Sequence, residues 1–426
     1  MTTTPYPTPR QGWTVVAILI ATAILSYTDR QVLSLLVDPI RSGLRISDTQ
    51  VSLLLGTAFA LVYGVAGLPL GYLADRVSRR NLIFAGVVVW SIGTIACGLS
   101  RDFAEIFFSR IIVGLGEAVL SPAAISIISD YFPPARRGTA VGFFLSGIAI
   151  GSGASIFIGG GVLQLVESGA LAGTALAHQA AWRLVLLVIG APGLVWCFSI
   201  LLIAEPVRQS GAAQAGAIGG AWRQGGWARA APVFLVVALA SFVDNATGAW
   251  APTLLIRGFH MDPAQVGLQL GLLLTLGFGG GVMAGGALAD RAAAQGGLAA
   301  KLRVSLAAAL AVLPACLAIT APSAAVVMVA VPVYFALSGV VTAVGFSAIL
   351  DLVPGRSRAL AMSVSFFLNV AFGAGLGPTA VAAAGAMVFP AGAGLGPAIA
   401  FTAGCGYLLV SLTLGAMLLR PRARTA

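Results

Sequence analysis

Residues 24–36 read ILSYTDRQVLSLL and place an acid, Asp29, beside a base, Arg30, in a segment that is otherwise apolar. The apolar stretch that contains them begins near Trp13 and has the roughly 20 residues that a helix needs to cross a membrane. A charge near the bilayer centre costs about 3 kcal/mol, so it is kept where it faces a partner or a cavity. The stretch therefore predicts a membrane helix with one polar, inward-facing side.

The composition of the whole chain is that of an integral membrane protein. Of 426 residues, 58% are hydrophobic and 9% are charged, and the mean hydropathy is +0.98. These values lie far outside the range of soluble globular proteins. The short alternating segments of a membrane β-barrel are not seen, so the spans are predicted to be helical.

About twelve apolar stretches follow one another along the chain, each of membrane-spanning length. They begin near Trp13, Val51, Leu82, Ala104, Gly138, Trp182, Ala231, Ala264, Leu302, Ala324, Leu360 and Leu395. One long polar linker separates the first six from the last six. We therefore expect an N-terminal six-helix bundle over residues 1–204, a cytoplasmic linker over 205–230 and a C-terminal six-helix bundle over 231–426.

The net charge of +10 reflects membrane topology and not a nucleic-acid partner. If the N-terminus is cytoplasmic, 17 of the 24 Lys and Arg fall on that side: Arg10, Arg76, Arg79, Arg80, Arg136, Arg137, Arg208, Arg223, Arg229, Arg291, Lys301, Arg303, Arg356, Arg358, Arg420, Arg422 and Arg424. This distribution follows the positive-inside rule. It predicts that both termini are cytoplasmic.

The two halves of the chain repeat each other. Three motifs recur in the same order, SYTDR (26–30) with SFVDN (241–245), GYLADR (71–76) with GGALADR (285–291), and SDYFPPARRGTAVG (129–142) with LDLVPGRSRALAMS (350–363). Many transporters are built from such repeats around a site at the membrane midplane. The expected architecture is an all-α duplicated bundle of six plus six helices.

Two polar stripes cross the apolar surface of the first half. Helical spacing places Thr22, Ser26, Asp29, Arg30 and Ser34 on one face of the first span, and Arg110, Gly114, Glu117 and Ser121 on one face of the fourth. Arg110 and Glu117 are about 10 Å apart along their helix axis, too far for a direct pair. Water, a ligand or Asp29 is expected between them.

The protonation of such buried acids responds to small changes in their distance from an arginine. We hypothesise that Asp29 and Glu117 exchange protons during transport. Arg110 would pair with the deprotonated acid or bind an anionic group of the substrate. The alternative is a static ion-pair network that only fixes helix packing.

The loop GYLADRVSRR (71–80) resembles a signature of the major facilitator superfamily, whose members are transporters. The resemblance implies that this loop acts as a cytoplasmic gate. The residues assigned to the gate are Gly71, Asp75, Arg76, Arg79 and Arg80, with Asp130, Arg136 and Arg137 after the fourth span and Asp290 and Arg291 after the eighth.

The segments YTDRQVLSLLVDPIR (27–41) and SRIIVGLGEAVLSPAAISIISDYFPPARRGTAVG (109–142) are similar to the spinster branch of that superfamily, and the similarity extends over essentially the whole chain. Animal members carry sphingosine phosphate or lysophospholipids, and bacterial members are regarded as proton-linked. The resemblance implies proton-linked acids at Asp29 and Glu117, a central base at Arg110 and a bacterial inner-membrane location. Arg30 is either functional or a helix-packing partner.

The second half offers a more neutral wall for a substrate. Asp244 and Asn245 keep the position of Asp29 and Arg30, whereas the tenth span has Tyr334 and Ser338 where the fourth has Arg110 and Glu117. The expected substrate contacts are Arg110, Asp244, Asn245, Tyr334, Ser338, Phe366 and Asn369. An amphipathic anion suits such a cavity, with its head near Arg110 and its tail along apolar helices.

Three functions remain open: a proton-coupled transporter of an amphipathic, lipid-like anion, the same transporter for a small organic anion, and a receptor or scaffold that carries nothing. An enzyme is not expected, because the sequence has no nucleotide loop, nucleophile motif or metal cluster. The four cysteines, Cys97, Cys197, Cys316 and Cys405, lie in spans and suggest neither disulfides nor a metal site. We expect a monomer without cofactor, in contact with membrane lipid.

Overall fold

A computed structural model of the chain describes residues 6–74, 76–170, 173, 178–206, 226–353, 358–390 and 394–419. Within these ranges every regular element is a helix and none is a strand. The all-α prediction is therefore confirmed.

Nine α-helices form the first half of the described chain. They are α1 Pro9–Gln31, α2 Val37–Leu44, α3 Asp48–Ser52, α4 Ala58–Ala74, α5 Arg79–Leu99, α6 Phe103–Glu117, α7 Leu120–Tyr131, α8 Pro134–Glu167 and α9 Ala181–Ile200. A short 3₁₀ segment, Val32–Ser34, follows α1, and a π-helical segment, Leu53–Thr57, joins α3 to α4.

Six α-helices form the second half within the described ranges. They are α10 Gly226–Phe259, α11 Pro263–Ala318, α12 Ala324–Leu352, α13 Arg358–Leu368, α14 Gly375–Met387 and α15 Leu395–Leu419. A second π-helical segment, Asn369–Ala374, joins α13 to α14.

The described helices are consistent with twelve membrane spans. Nine are long and apolar enough to cross a membrane, counted over the described residues only. All twelve predicted starting points lie inside helices, and the predicted eighth and ninth spans share the 56 residues of α11. This helix breaks at Gly296 and Gly297, where Gly297 has φ 60°, a conformation that residues with a Cβ rarely adopt.

The starts of several helices carry side-chain caps that their sequence supplies. Thr8 and Gln11 form a capping box at the start of α1, where Pro9 takes the first helical position. Ser78 and Asp102 accept hydrogen bonds from backbone N–H groups at the starts of α5 and α6. These caps fix where the spans leave their loops.

The chain forms two compact units. The first comprises Met1–Ala215 and Met261–Thr275, and the second comprises Gly216–His260 and Leu276–Ala426. The first unit thus takes one short segment from the later part of the chain, while the domain limits at 204 and 231 stay a prediction. The predicted linker is described only at residues 205–206 and 226–230, because residues 207–225 lie outside the described ranges.

Packing in the first unit depends on close helix contacts. α1 packs on α8, and α5 packs on both α6 and α9. A Cβ on Gly267 would lie 2.4 Å from the Cα of Gly160, so the start of α11 touches α8 backbone to backbone. Small residues permit such contacts between membrane helices.

The second unit has a core of small and branched aliphatic side chains around Tyr334 and Tyr407. Outward-facing side chains such as Val195 in the first unit and Leu317 in the second are largely exposed, as expected of a surface that meets lipid.

Candidate functional site

Four charged side chains, Asp29, Arg30, Arg110 and Glu117, lie close together inside the first unit. Glu117 Oε2 accepts a hydrogen bond from Arg30 Nη2 at 2.6 Å. Glu117 is 1% exposed and Arg30 is 15% exposed, so this ion pair is nearly enclosed. A charge-assisted bond of this length is among the stronger polar contacts in proteins.

The pair joins the ends of two helices. Arg30 lies in the last turn of α1, and Glu117 is the last residue of α6. The neighbouring Gly116 brings α6 against α5, because a Cβ there would lie 2.6 Å from Trp90 N and 2.7 Å from Gly86 O. This contact fixes the end of α6 and hence the place of the carboxylate.

Aromatic rings surround the Arg30 guanidinium. Its Cζ lies 3.9 Å from the ring centroid of Phe59, 4.8 Å from that of Tyr27 and 5.8 Å from that of Tyr63. Cation–π contacts of this kind are worth about 1 kcal/mol and more when they are desolvated. Arg30 therefore keeps favourable contacts even if Glu117 loses its charge.

Arg110 is anchored to backbone and not to an acid. Its Nε donates to the carbonyl of Leu54 at 3.2 Å, within the π-helical segment Leu53–Thr57. Such π-helical turns recur at functional sites. Among the described residues, Arg110 Nη2 has no hydrogen-bond partner, so this buried side chain still has a donor for an anion.

Asp29 is fully buried, and within the described ranges neither of its carboxyl oxygens has a partner at full hydrogen-bond distance, although the Thr94 hydroxyl lies beside the carboxyl. Glu117 and Arg110 are the charged groups that act on it most strongly. A buried carboxylate without a partner is costly, whereas the neutral acid is much less so. The site therefore distinguishes sharply between the two protonation states of Asp29.

From the sequence, Asp29, water or a ligand was expected between Arg110 and Glu117. Arg30 was expected to have either a functional or a helix-packing role. In the structure, Arg30 forms the ion pair with Glu117, whereas Arg110 bonds Leu54. The reason is that α1 ends beside the end of α6 and carries Arg30 there.

In the second unit, Ser338 Oγ donates to Asp244 Oδ2 at 2.5 Å, and Tyr334 lies beside the same carboxyl. Asn245 is turned elsewhere, since its Nδ2 donates to the carbonyl of Ser241 at 2.9 Å. Asn369 opens the second π-helical segment, and its carbonyl also faces Ser241. The structure thus brings together Asp244, Tyr334 and Ser338, while the Phe366 side chain lies outside the described part.

Among the predicted gate residues, Arg79 and Asp130 meet. Arg79 Nη1 donates to Asp130 Oδ2 at 2.5 Å and to Ser126 Oγ at 2.9 Å. Arg79 is buried at the start of α5 and Asp130 is buried near the end of α7. The pair therefore ties the third predicted span to the fourth.

Glu205, which the sequence marked only as the start of the linker, completes this cluster. Its carboxylate accepts from Arg79 Nε at 2.9 Å, from Ser78 Oγ at 2.8 Å and from the Arg80 N–H at 2.9 Å. Burial opposes its ionisation, but these hydrogen bonds and the charge of Arg79 outweigh burial and hold the pKa of Glu205 below its usual value. An acid directly after a span was the available signal.

The second half contains a matching cluster. Lys301 Nζ donates to Asp351 Oδ2 at 2.5 Å and to Ser347 Oγ at 2.9 Å. The serine precedes the aspartate by one helical turn, as Ser126 precedes Asp130. The internal repeat is thereby visible in side-chain contacts.

Of the other predicted gate residues, Arg80 joins the first cluster through its backbone N–H. Arg76, Arg136, Asp290 and Arg291 are exposed, and the Arg80 side chain bonds Asn81. Gly71 lies in α4, whereas Asp75 and the Arg137 side chain lie outside the described residues.

Comparisons with known proteins agree with this architecture. Residues 19–378 match the family model of the Major Facilitator Superfamily. Since the match covers most of the chain, the protein belongs to this superfamily, whose members are transporters and not enzymes.

The chain is similar to several members in particular. It is 29% identical over 380 residues to an MFS-type efflux pump of Mycolicibacterium smegmatis, covering 88% of this chain and 84% of the pump. It is 28% identical over 261 residues to Protein spinster of Drosophila melanogaster, covering 60% and 41%. It is 36% identical over 138 residues to a probable L-galactonate transporter of Escherichia coli, covering 32% and 30%.

A solved structure also resembles the whole chain. The crystal structure of a bacterial homologue of the human lysosomal transporter Spinster, inward-facing and unoccupied, superposes with a TM-score of 0.76. It is 26% identical and covers 97% of this chain and 96% of that one. The protein is therefore an integral membrane transporter of Spinster type.

Proposed function

We propose that this chain is a proton-coupled secondary transporter of an amphipathic, lipid-like anion in a bacterial inner membrane, with both termini in the cytoplasm. The observation that carries the proposal is the buried Arg30–Glu117 ion pair with Asp29 and Arg110 beside it. Two acids and two bases enclosed in one unit couple proton binding to helix position.

Glu117 is the acid through which a proton would act on the helices. Protonation removes the charge-assisted bond between Glu117 and Arg30, while the contacts of Arg30 with Phe59 and Tyr27 persist. The end of α1 is then held less tightly to the end of α6. Asp29 is the neighbouring acid that takes or releases the proton as the bundle changes conformation between the two sides.

Arg110 is the proposed anchor for the substrate anion. Its Nη2 has no partner among the described residues, and Phe59 lies 5.8 Å from its guanidinium carbon. A guanidinium next to an aromatic ring suits an anionic head that carries an apolar tail. Lysophospholipids and sphingosine-phosphate-like lipids are of this type, in keeping with the similarity to spinster proteins.

A small organic anion is the second candidate substrate. The similarity to a probable L-galactonate transporter favours it, and Arg110 would then hold the carboxylate. A receptor or scaffold on the same bundle would bind a ligand and move nothing.

The test is uptake into liposomes that contain the purified full-length protein, with and without an imposed pH gradient. A fluorescent lysophospholipid and a radiolabelled sugar acid are compared as substrates. We expect the gradient to drive lysophospholipid uptake, and Asp29→Asn and Glu117→Gln each to abolish that drive. Arg110→Ala should weaken substrate affinity.

Asp48→Asn, at a partly exposed acid at the start of α3, is the matched control and should leave gradient-driven uptake intact. Uptake that ignores the gradient in the wild type and in both acid variants contradicts the coupling. Gradient-driven uptake of the sugar acid alone assigns the second candidate, and binding without flux assigns a receptor.

A further inference from the structure

Asp244 in the second unit lies in a cluster of hydroxyl groups. Ser338 Oγ donates to its Oδ2 at 2.5 Å, and the hydroxyls of Tyr334 and Tyr407 lie beside the same carboxyl. Thr247, one turn along α10, lies beside the Tyr334 hydroxyl. Helices α10, α12 and α15 thus contribute five oxygen-bearing side chains to one cluster, in which Thr247 adjoins Tyr334 and the other three adjoin Asp244.

Most of these oxygens are buried and have no partner. Tyr334, Tyr407, Thr247 and Ser338 are fully buried. Within the described ranges, neither tyrosine hydroxyl, nor Thr247 Oγ1, nor Asp244 Oδ1 has a partner at full hydrogen-bond distance, although both tyrosine hydroxyls lie close enough to act on the Asp244 carboxyl. Buried polar atoms are normally satisfied, so four such atoms together require an explanation.

The Thr247 hydroxyl makes no hydrogen bond to its own helix, unlike several other threonines in helices. Thr22, Thr275 and Thr402 each donate to the carbonyl four residues earlier in their own helix. Thr247 makes no such bond, and Ser338 also points away from its helix, toward Asp244. These hydroxyls are therefore available for something other than their own backbone.

The charge of the cluster also differs from that of the first unit. Arg110 acts on Asp29, whereas in the described part of the chain no Lys or Arg acts on Asp244. The other titratable groups that face it are Tyr334, Tyr407 and the Cys316 thiol. The cluster thus presents one ionisable carboxyl with neutral oxygens around it.

We propose that Asp244, Ser338, Tyr334, Tyr407 and Thr247 form a sodium-binding site. Hard cations prefer oxygen ligands, and a single carboxylate balances a single positive charge. Divalent cations are usually held by several carboxylates or by many waters, which this set does not supply. The Ser338 hydroxyl can keep its bond to Asp244 and offer a lone pair to the ion, since a hydroxyl has one donor and two acceptor sites.

The exposure of Asp244 and the location of the cluster bear on how the proposed site relates to the rest of the protein. Asp244 as a residue is partly exposed, although its Oδ1 is buried. The site is independent of the proton-linked acids of the first unit. It therefore goes beyond the proposed function, and either can fail without the other.

The test is equilibrium binding of ²²Na⁺ to the purified full-length protein in detergent, with choline replacing sodium in the reference buffer. We expect saturable binding that excess unlabelled Na⁺ displaces and choline does not. Asp244→Asn should abolish it. Ser338→Ala and Tyr407→Phe should each weaken it at least about tenfold, since the loss even of outer contacts costs metal sites that much.

Two matched variants control for the substitutions. Tyr131→Phe removes a hydroxyl that donates to Ala204 in the first unit, and Ser365→Ala removes one that donates to Ala361 in α13. Both should bind Na⁺ as the wild type does. Each variant is first shown to have a wild-type elution profile and Tm in choline.

No saturable Na⁺ binding by the wild type overturns the proposal, as does binding that survives Asp244→Asn. A Tm that responds to pH but not to Na⁺ also overturns it and makes Asp244 a proton site. If Asp244→Asn fails to fold, the comparison of Tyr407→Phe with Tyr131→Phe decides.

Discussion

Arg30 and Glu117 form an ion pair of 2.6 Å between the ends of the first and fourth predicted spans. In the second half, a hydrogen bond of 2.5 Å joins the corresponding two spans between Ser338 and Asp244, the counterpart of Asp29, while Asn245, the counterpart of Arg30, bonds Ser241 instead. The duplicated bundle therefore keeps the contact between these two spans and changes its chemistry. One half has a charged contact that responds to a proton, and the other has an acid surrounded by hydroxyls.

Replacing Arg30 tests how strongly the ion pair holds the first unit. Arg30→Ala leaves Glu117 buried and unpaired, so we expect a loss of about 3 kcal/mol or more in unfolding free energy. The measurement is the Tm of purified protein in detergent. Arg41→Ala is the control, because Arg41 is 46% exposed and its pairs at 3.8 and 3.9 Å should contribute less than about 1 kcal/mol.

The double variant Arg30→Met with Glu117→Gln should recover much of that loss, since no buried charge is then left without its partner. A Tm for Arg30→Ala no lower than that of Arg41→Ala would contradict the importance of the pair.

The two matching base–acid clusters should differ in strength. Arg79→Met removes a buried guanidinium that pairs with Asp130, which is 3% exposed, and with Glu205, so we expect a loss of about 3 kcal/mol. Lys301→Met leaves Asp351, which is 44% exposed and can be hydrated, so the loss should be about 1 kcal/mol. Thermal unfolding of both variants side by side checks the order, and equal losses would contradict it.

Glu205 should make stability depend on pH. Its pKa is lowered in the folded protein, so its contribution is present above the unfolded value of about 4.3 and is lost as pH falls toward the folded value. We expect Glu205→Gln to lower the Tm at pH 7. The difference between wild type and variant should shrink as the pH is lowered below about 4.3. A difference that stays constant down to pH 3 would speak against this role.

The glycine contact between α8 and α11 should tolerate no side chain. A Cβ at Gly160 would lie 2.7 Å from the backbone of Gly267. The larger side chain of Gly160→Val has no room there, so we expect this variant to give little folded protein. The adjacent Gly161→Val is the control, because a Cβ there meets only the end of the Leu268 side chain at 3.9 Å. The yield of monodisperse protein on size-exclusion chromatography distinguishes the two variants. Equal yields would show that α8 can move away.

Much of the fold could be predicted because membrane helices follow directly from composition and length. All twelve expected starting points lie in helices, and the assignment to a transporter superfamily is confirmed. The internal repeat could also be detected in the sequence, and its matching motifs place Asp130 and Asp351 in similar clusters. Local patterns carry this information.

The contacts between different spans could not be predicted, because they depend on which helix ends lie next to each other in the folded protein. Spacing within the fourth span excluded a direct contact between Arg110 and Glu117, but it could not show that Arg30 would reach Glu117. The partnership of Glu205 with Arg79 joins residues 126 positions apart. No periodicity within a single span encodes such contacts.

The membership of Met261–Thr275 in the first unit has a consequence for biosynthesis. Because a ribosome makes the chain from its N-terminus, α8 enters the membrane well before the segment that contains Gly267 exists. Until the chain has been made to Thr275, Gly160 of α8 lacks its native contact with Gly267. The unit that begins first is therefore finished only after the second has begun to emerge.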